Sequence, residues 1–236
     1  MLLTVIFWIA AVTVFSIFGS WYARRYAKPD LLVVLYVTFL LVAQVLAAKV
    51  TMLDLGFRTF VVPAGIIVFS VTFLLTDIVN ERFGRAETRR MIWLGFLAQV
   101  AMVVFIWIGV RMPAAPFWDL QLPWARIFGQ VPRITLASWA AFLASENADA
   151  LIFSWFRRLT GGRHLWARNA FSSIPSLALD SLIFVPLAFA GVAPLLPLVI
   201  GQIAVKWLTC VVDIPFMYFN KWVLGPAAGA EERMPR

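Results

Sequence analysis

Leu195-Leu196-Pro197-Leu198-Val199-Ile200-Gly201-Gln202-Ile203-Ala204-Val205-Lys206-Trp207-Leu208-Thr209-Cys210-Val211-Val212-Asp213 is an apolar run interrupted by a lysine at its middle and an aspartate at its end. Its length matches the ~20 residues a helix needs to cross a bilayer core. Gln202, Lys206, Thr209 and Asp213 follow at intervals of four, three and four, so on a helix they form one polar stripe in an apolar cylinder. An ammonium group at mid-bilayer costs roughly 2.5–3.5 kcal/mol on an insertion scale. Such a residue calls for a partner on another helix and a polar cavity in front of it.

The rest of the chain is of the same kind. Of 236 residues 62% are hydrophobic and 14% charged, and the mean hydropathy is +0.88. A soluble core of this size does not need that composition, whereas a polytopic membrane protein does. The chain reads as an all-α integral membrane protein with about seven transmembrane helices, over residues 2–22, 31–53, 59–79, 91–110, 132–156, 168–190 and 195–219. No linker or low-complexity tract divides it, so 1–236 is a single membrane domain. The first run lacks a basic leader and a small-residue cleavage site, and is kept as a helix rather than a signal peptide.

The net charge of +8 is read as topology, not as nucleic-acid binding, because the basic residues cluster beside helix ends. The loops after the first, third and fifth spans and the C-terminal tail hold 14 of the 20 lysines and arginines; Arg58, Arg111, Arg126 and Arg133 lie on the other side. Cytoplasmic loops are the positive ones, which sets the N-terminus outside and the C-terminus in the cytoplasm of an inner-membrane, multi-pass protein. Between the fourth and fifth spans, Phe117, Trp118, Trp124 and Phe128 stand among prolines, a pattern that favours an interfacial aromatic belt over a lid.

Other polar groups share the depth of Lys206. Asp180 in the sixth span is the expected counter-ion. Glu146 and Asp149 are three residues apart and leave one face of the fifth span, where two carboxylates in low dielectric are expected to share a proton or hold a cation. Gln44 and Gln99 add neutral donors and acceptors in the second and fourth spans. Together these groups suit a pocket for a small polar molecule, with aromatic residues to stack on a planar ring. Cys210 is the single cysteine and His164 the single histidine, so neither a disulfide nor a metal site is expected. The absence of G-x-x-x-x-G-K-[ST], H-E-x-x-H and G-x-S-x-G argues against an enzyme, and no cofactor is expected.

Phe69-Ser70-Val71-Thr72-Phe73-Leu74-Leu75-Thr76-Asp77-Ile78-Val79-Asn80-Glu81-Arg82-Phe83-Gly84 resembles the helix-closing signature of the queuosine precursor transporters, also called putative vitamin uptake transporters. The resemblance continues through Pro132-Arg133-Ile134, Asp149, Trp166-Ala167-Arg168-Asn169, Ser172-Ser173, Asp180 and Phe184, with Lys49 and Lys206 at positions where that family carries lysine. It implies a six-helix core at 31–222, an extra N-terminal helix and loop at 1–30, and a cytoplasmic tail at 223–236. It also implies import of a 7-deazaguanine such as preQ0, preQ1 or queuine, with the lipid bilayer and a purine-like base as partners. Glu146, Asp149, Asp180, Lys206, Gln202, Gln99 and Gln44 are the expected substrate-binding residues. Asp77, Asn80, Glu81, Lys49, Asn169 and Asp213 are expected to gate or to hold structure. A more distant likeness to the binding subunits of energy-coupling-factor importers leaves an ATPase partner as an alternative, beside a non-transporting scaffold and a homo-oligomer. Ser70 stands where the family usually has proline, and Glu146 where it often has glutamine.

Overall fold

The computed structural model describes residues 2–56, 58–159 and 165–224. His164 and the tail beyond Leu224 lie outside the described residues. The elements run α1 Leu2–Tyr26, α2 Asp30–Leu46, β1 Val50–Asp54, β2 Thr59–Pro63, α3 Ile66–Phe83, α4 Arg85–Arg111, α5 Gln121–Phe128, α6 Val131–Leu159, α7 Leu165–Phe189 and α8 Leu195–Leu224. The seven long helices follow the seven apolar runs.

One departure is large. The second and third runs do not pass directly from helix to helix; α2 stops at Leu46, and β1 pairs antiparallel with β2 in the register Val50↔Pro63 through Asp54↔Thr59. The chain is mostly helical, as the all-α reading expected, but the expected span bounds at 31–53 and from residue 59 are corrected to a helix end at Leu46, a hairpin, and a helix start at Ile66. Thr59, Val61 and Val62 are β-branched and lose side-chain freedom in a helix. Asp54 accepts the Gly56 N–H at 2.9 Å and turns the chain between the strands. Lys49, expected inside a span, sits exposed at the foot of the hairpin, where its carbonyl accepts the Ala64 N–H at 2.7 Å.

The hairpin is seated against α8. Val62 is buried with Leu53, Ile66, Ile67 and Val205 in a small apolar cluster. At Gly201 a Cβ would come within 2.1 Å of the Val61 carbonyl oxygen, so only hydrogen lets α8 lie this close to β2.

The two larger clusters are built by α2, α3 and α4 around Leu32, Leu75 and Met91, and by α6, α7 and α8 around Ile134, Phe189 and Leu198. α1 joins through a small-residue face, with Ser16, Ser20 and Ala23 buried and the helix packed on α2, α3 and α8. α3 and α4 are separated by one residue, Gly84, at φ +84 and ψ 173, a region that essentially only glycine occupies.

The outward surface is apolar. On α4, Trp93, Leu97, Phe105 and Trp107 are exposed, Phe105 at 72%, and only 17% of the helix's apolar window is buried. A soluble protein would hide such a stripe; in a bilayer it is the solvent-facing side. Among the described residues α4 alone is long and apolar enough to span by itself, with shorter apolar stretches at Asp30–Leu46, Ile174–Phe189 and Leu195–Thr209. The aromatic segment between α4 and α6 contains α5, which buries no residue, packs on α4, and carries exposed Leu122, Trp124 and Ile127.

At the far end of α7, Arg133 of α6 donates to the carbonyls of Leu187 at 2.7 Å and Ala190 at 2.9 Å. The carbonyls of a helix's last turn lack partners further along the helix, and the guanidinium also complements the negative end of the helix dipole. The variant Arg133→Ala is expected to lose about 1–2 kcal/mol of stability, read as earlier thermal unfolding in detergent, while Arg133→Lys recovers part of it.

Candidate functional site

A pocket of ≈ 420 Å³, opening included, lies beside the hairpin. Its wall takes Ala43 and Gln44 from the last turn of α2, Pro63 from β2, Ile66 and Phe69 from the first turn of α3, Ser138 from α6, Asp180 and Phe184 from α7, and Gln202 and Lys206 from α8. Six elements therefore converge on the hairpin side of the bundle.

Lys206 Nζ donates to Asp180 Oδ2, as their shared depth implied. The lysine is only 3% exposed and Asp180 is also buried, so each charge neutralises the other in a place where neither is well solvated. Lys206 Nζ also lies 5.7 Å from the centroid of the Phe69 ring, within reach of a cation–π attraction. Phe184 stands edge-on to Phe189 at 5.9 Å and forms an apolar wall.

The neutral polar groups are arranged in layers. Gln44 lines the pocket, and its Nε2 donates to Gln99 Oε1 at 3.0 Å. Gln99, on α4, stands behind Gln44 instead of on the pocket wall. Gln202 is buried on the wall, and its Oε1 has no hydrogen-bond partner among the described residues. In a water-poor site an unpaired amide oxygen costs about 1–3 kcal/mol unless a bound molecule supplies a donor.

One turn beyond Lys206, Thr209 Oγ1 meets Ser70 Oγ at 3.2 Å, and Ser70 in turn donates to the Ile66 carbonyl at 2.9 Å. Ser70 thus ties α3 to α8. The tie was invisible in the sequence because the two residues are 139 positions apart.

Glu146 and Asp149 lie in α6, Asn169 in α7 and Asp213 in α8; their side chains lie outside the described residues. Ser138, the α6 contribution to the wall, precedes Glu146 by two turns, about 12 Å. Asp77, Asn80 and Glu81 are exposed near the C-terminal end of α3, the end opposite the pocket. Phe69, Ser138 and Phe184 belong to the stretches that carry the family resemblance, but none of them, nor Pro63, was expected on the pocket wall. The prolyl end of a β-branched run, Thr59 to Pro63, was the signal that could have marked the hairpin.

Comparison with known proteins adds two findings. Residues 63–220 match a family described as putative vitamin uptake transporter. The probable queuosine precursor transporter of Bacillus subtilis (strain 168) is 33% identical over 162 residues, covering 66% of this chain and 70% of that protein. No solved structure matches.

Proposed function

The chain belongs to the family of putative vitamin uptake transporters, and from that premise we propose that it imports a queuosine precursor, a 7-deazaguanine, across the inner membrane. Membership makes it a transporter embedded in a membrane; the substrate is the further step. The observation that carries the reading is the Asp180–Lys206 pair, buried yet on the wall of a pocket with aromatic and amide groups around it. A planar base has apolar faces that stack at about 1–3 kcal/mol each on aromatic rings. Its edge carries both N–H donors and a carbonyl, and the wall carries carboxylate and amide oxygens together with an ammonium. The description of the B. subtilis relative as a probable queuosine precursor transporter supports the same class of cargo.

The charge asymmetry supports an N-terminus outside and a C-terminus in the cytoplasm. In that orientation the hairpin end of the bundle, and the pocket with it, faces outward, while Asp77, Asn80 and Glu81 lie near the cytoplasmic surface. The first contact with cargo is then made beside the hairpin.

The test is restoration of a modified tRNA. Cells that neither make the precursor nor carry their own importer are given this gene and a 7-deazaguanine in the medium. Queuosine is expected to reappear in tRNA at external concentrations that leave the empty-vector strain unmodified. Membrane-inserted protein with no gain over the empty vector would remove the reading.

A further inference from the structure

We propose that Gln99 is a positioning residue that turns the carbonyl oxygen of Gln44 toward the pocket, and that Gln44 and Gln202 form a pair of acceptors selecting bases with two adjacent N–H donors. The inference rests on the transport reading for its cargo class and adds which groups recognise which edge.

The fixed point is a main-chain carbonyl. A carbonyl oxygen can only accept, so the end of Gln99 that faces Gly95 must be its nitrogen, and Gln99 Nε2 donates to Gly95 O at 3.4 Å. Its Oε1 is therefore the end that meets α2, where it accepts from Gln44 Nε2 at 3.0 Å. Turning either amide over would set oxygen against oxygen in a buried place, for Gln44 and Gln99 are 3% and 5% exposed. The orientation of Gln44, normally free to flip, is thus decided by the backbone of a different helix. With its nitrogen committed to α4, the oxygen is the pole that Gln44 has left for the pocket it lines.

Gln202 contributes the second acceptor. It faces the same pocket from α8, is 4% exposed, and its Oε1 has no partner among the described residues. Two neutral amides, together with a carboxylate already engaged by Lys206, line the same pocket. A base with an N–H beside an exocyclic amine satisfies both oxygens, whereas one lacking the amine leaves an oxygen buried and unpaired. A neutral pair also has an advantage over a carboxylate, because a cargo that must leave again should not be held by full charges.

The experiment measures a ratio. Purified protein is titrated with 7-cyano-7-deazaguanine and with the same base lacking its exocyclic amine. The parent chain is expected to prefer the amino base by about tenfold or more. Gln99→Met, which cannot hold Gln44, should bring that preference to within about threefold, and Gln44→Met should do the same. A loss of folded protein lowers binding of both bases alike and leaves the ratio unmoved, so the ratio reports orientation and not stability. An unchanged preference in Gln99→Met, with the amino base still bound, overturns the acceptor pair and leaves the transport reading standing. Failure of the parent chain to bind either base overturns both.

Discussion

Asp180→Asn is expected to abolish uptake and to lower the yield of folded protein, because it leaves the Lys206 ammonium buried without a counter-charge. Breaking one side of a buried pair typically costs about 3–5 kcal/mol, mainly the desolvation of the charge left behind. Lys206→Met should be nearly as harmful, since it strands the carboxylate instead. The paired replacement Asp180→Leu with Lys206→Met removes both charges at similar volume, and such exchanges are often neutral or stabilising by about 1–4 kcal/mol. The double variant should therefore regain a sharp thermal transition in detergent while remaining unable to take up precursor. That combination, folded but inactive, separates recognition from packing. A double variant that transports at the parent rate would show that the pair serves only assembly.

The second large effect is expected at Gly201. A methyl group there would meet the Val61 carbonyl oxygen at 2.1 Å, its carbon at 3.0 Å and Val62 Cγ1 at 3.1 Å. Two of these three atoms are backbone, so no flexible side chain can yield, and either α8 or the hairpin must shift. Overpacking of this kind costs about 1–3 kcal/mol and sometimes more. Gly201→Ala should thus unfold earlier, and because Gln202 and Lys206 follow on the same helix, precursor affinity should fall about tenfold or more. Gly109→Ala is the matched control: it lies in α4 with nothing within 4 Å of the added carbon, and alanine there should stabilise by up to about 1 kcal/mol. Equal behaviour of the two variants would mean that hairpin and helix are not locked together.

These two sites differ in how visible they were beforehand. Lys206 and Asp180 announced themselves as charges in apolar runs, and their common depth was enough to pair them. Gly201 and Val61 were ordinary letters in such runs. The hairpin was hidden by the same property that revealed the helices: Val50, Met52, Val61 and Val62 are apolar on a stretch flanked by apolar helices, so a hydropathy window reads straight through. Only the local chemistry, β-branched residues beside an Asp-x-Gly turn and closed by Pro63, marked a strand pair. The layering of Gln44 and Gln99 was also beyond sequence, because spacing assigns a residue to a helix face and not to the face's neighbour.

Gly84 leaves the corner between α3 and α4 no slack. Two helices that share one connecting residue, held at a backbone angle that other residues adopt only under strain, cannot be parted by paying out loop. Their adjoining ends must translate together, like the two arms of a bent rod. The same corner offers a protease no exposed length to enter and an inserted tag no room, in contrast to the stretch between Met112 and Leu120. Any rearrangement of the bundle must then come from other elements moving against a fixed α3–α4 frame.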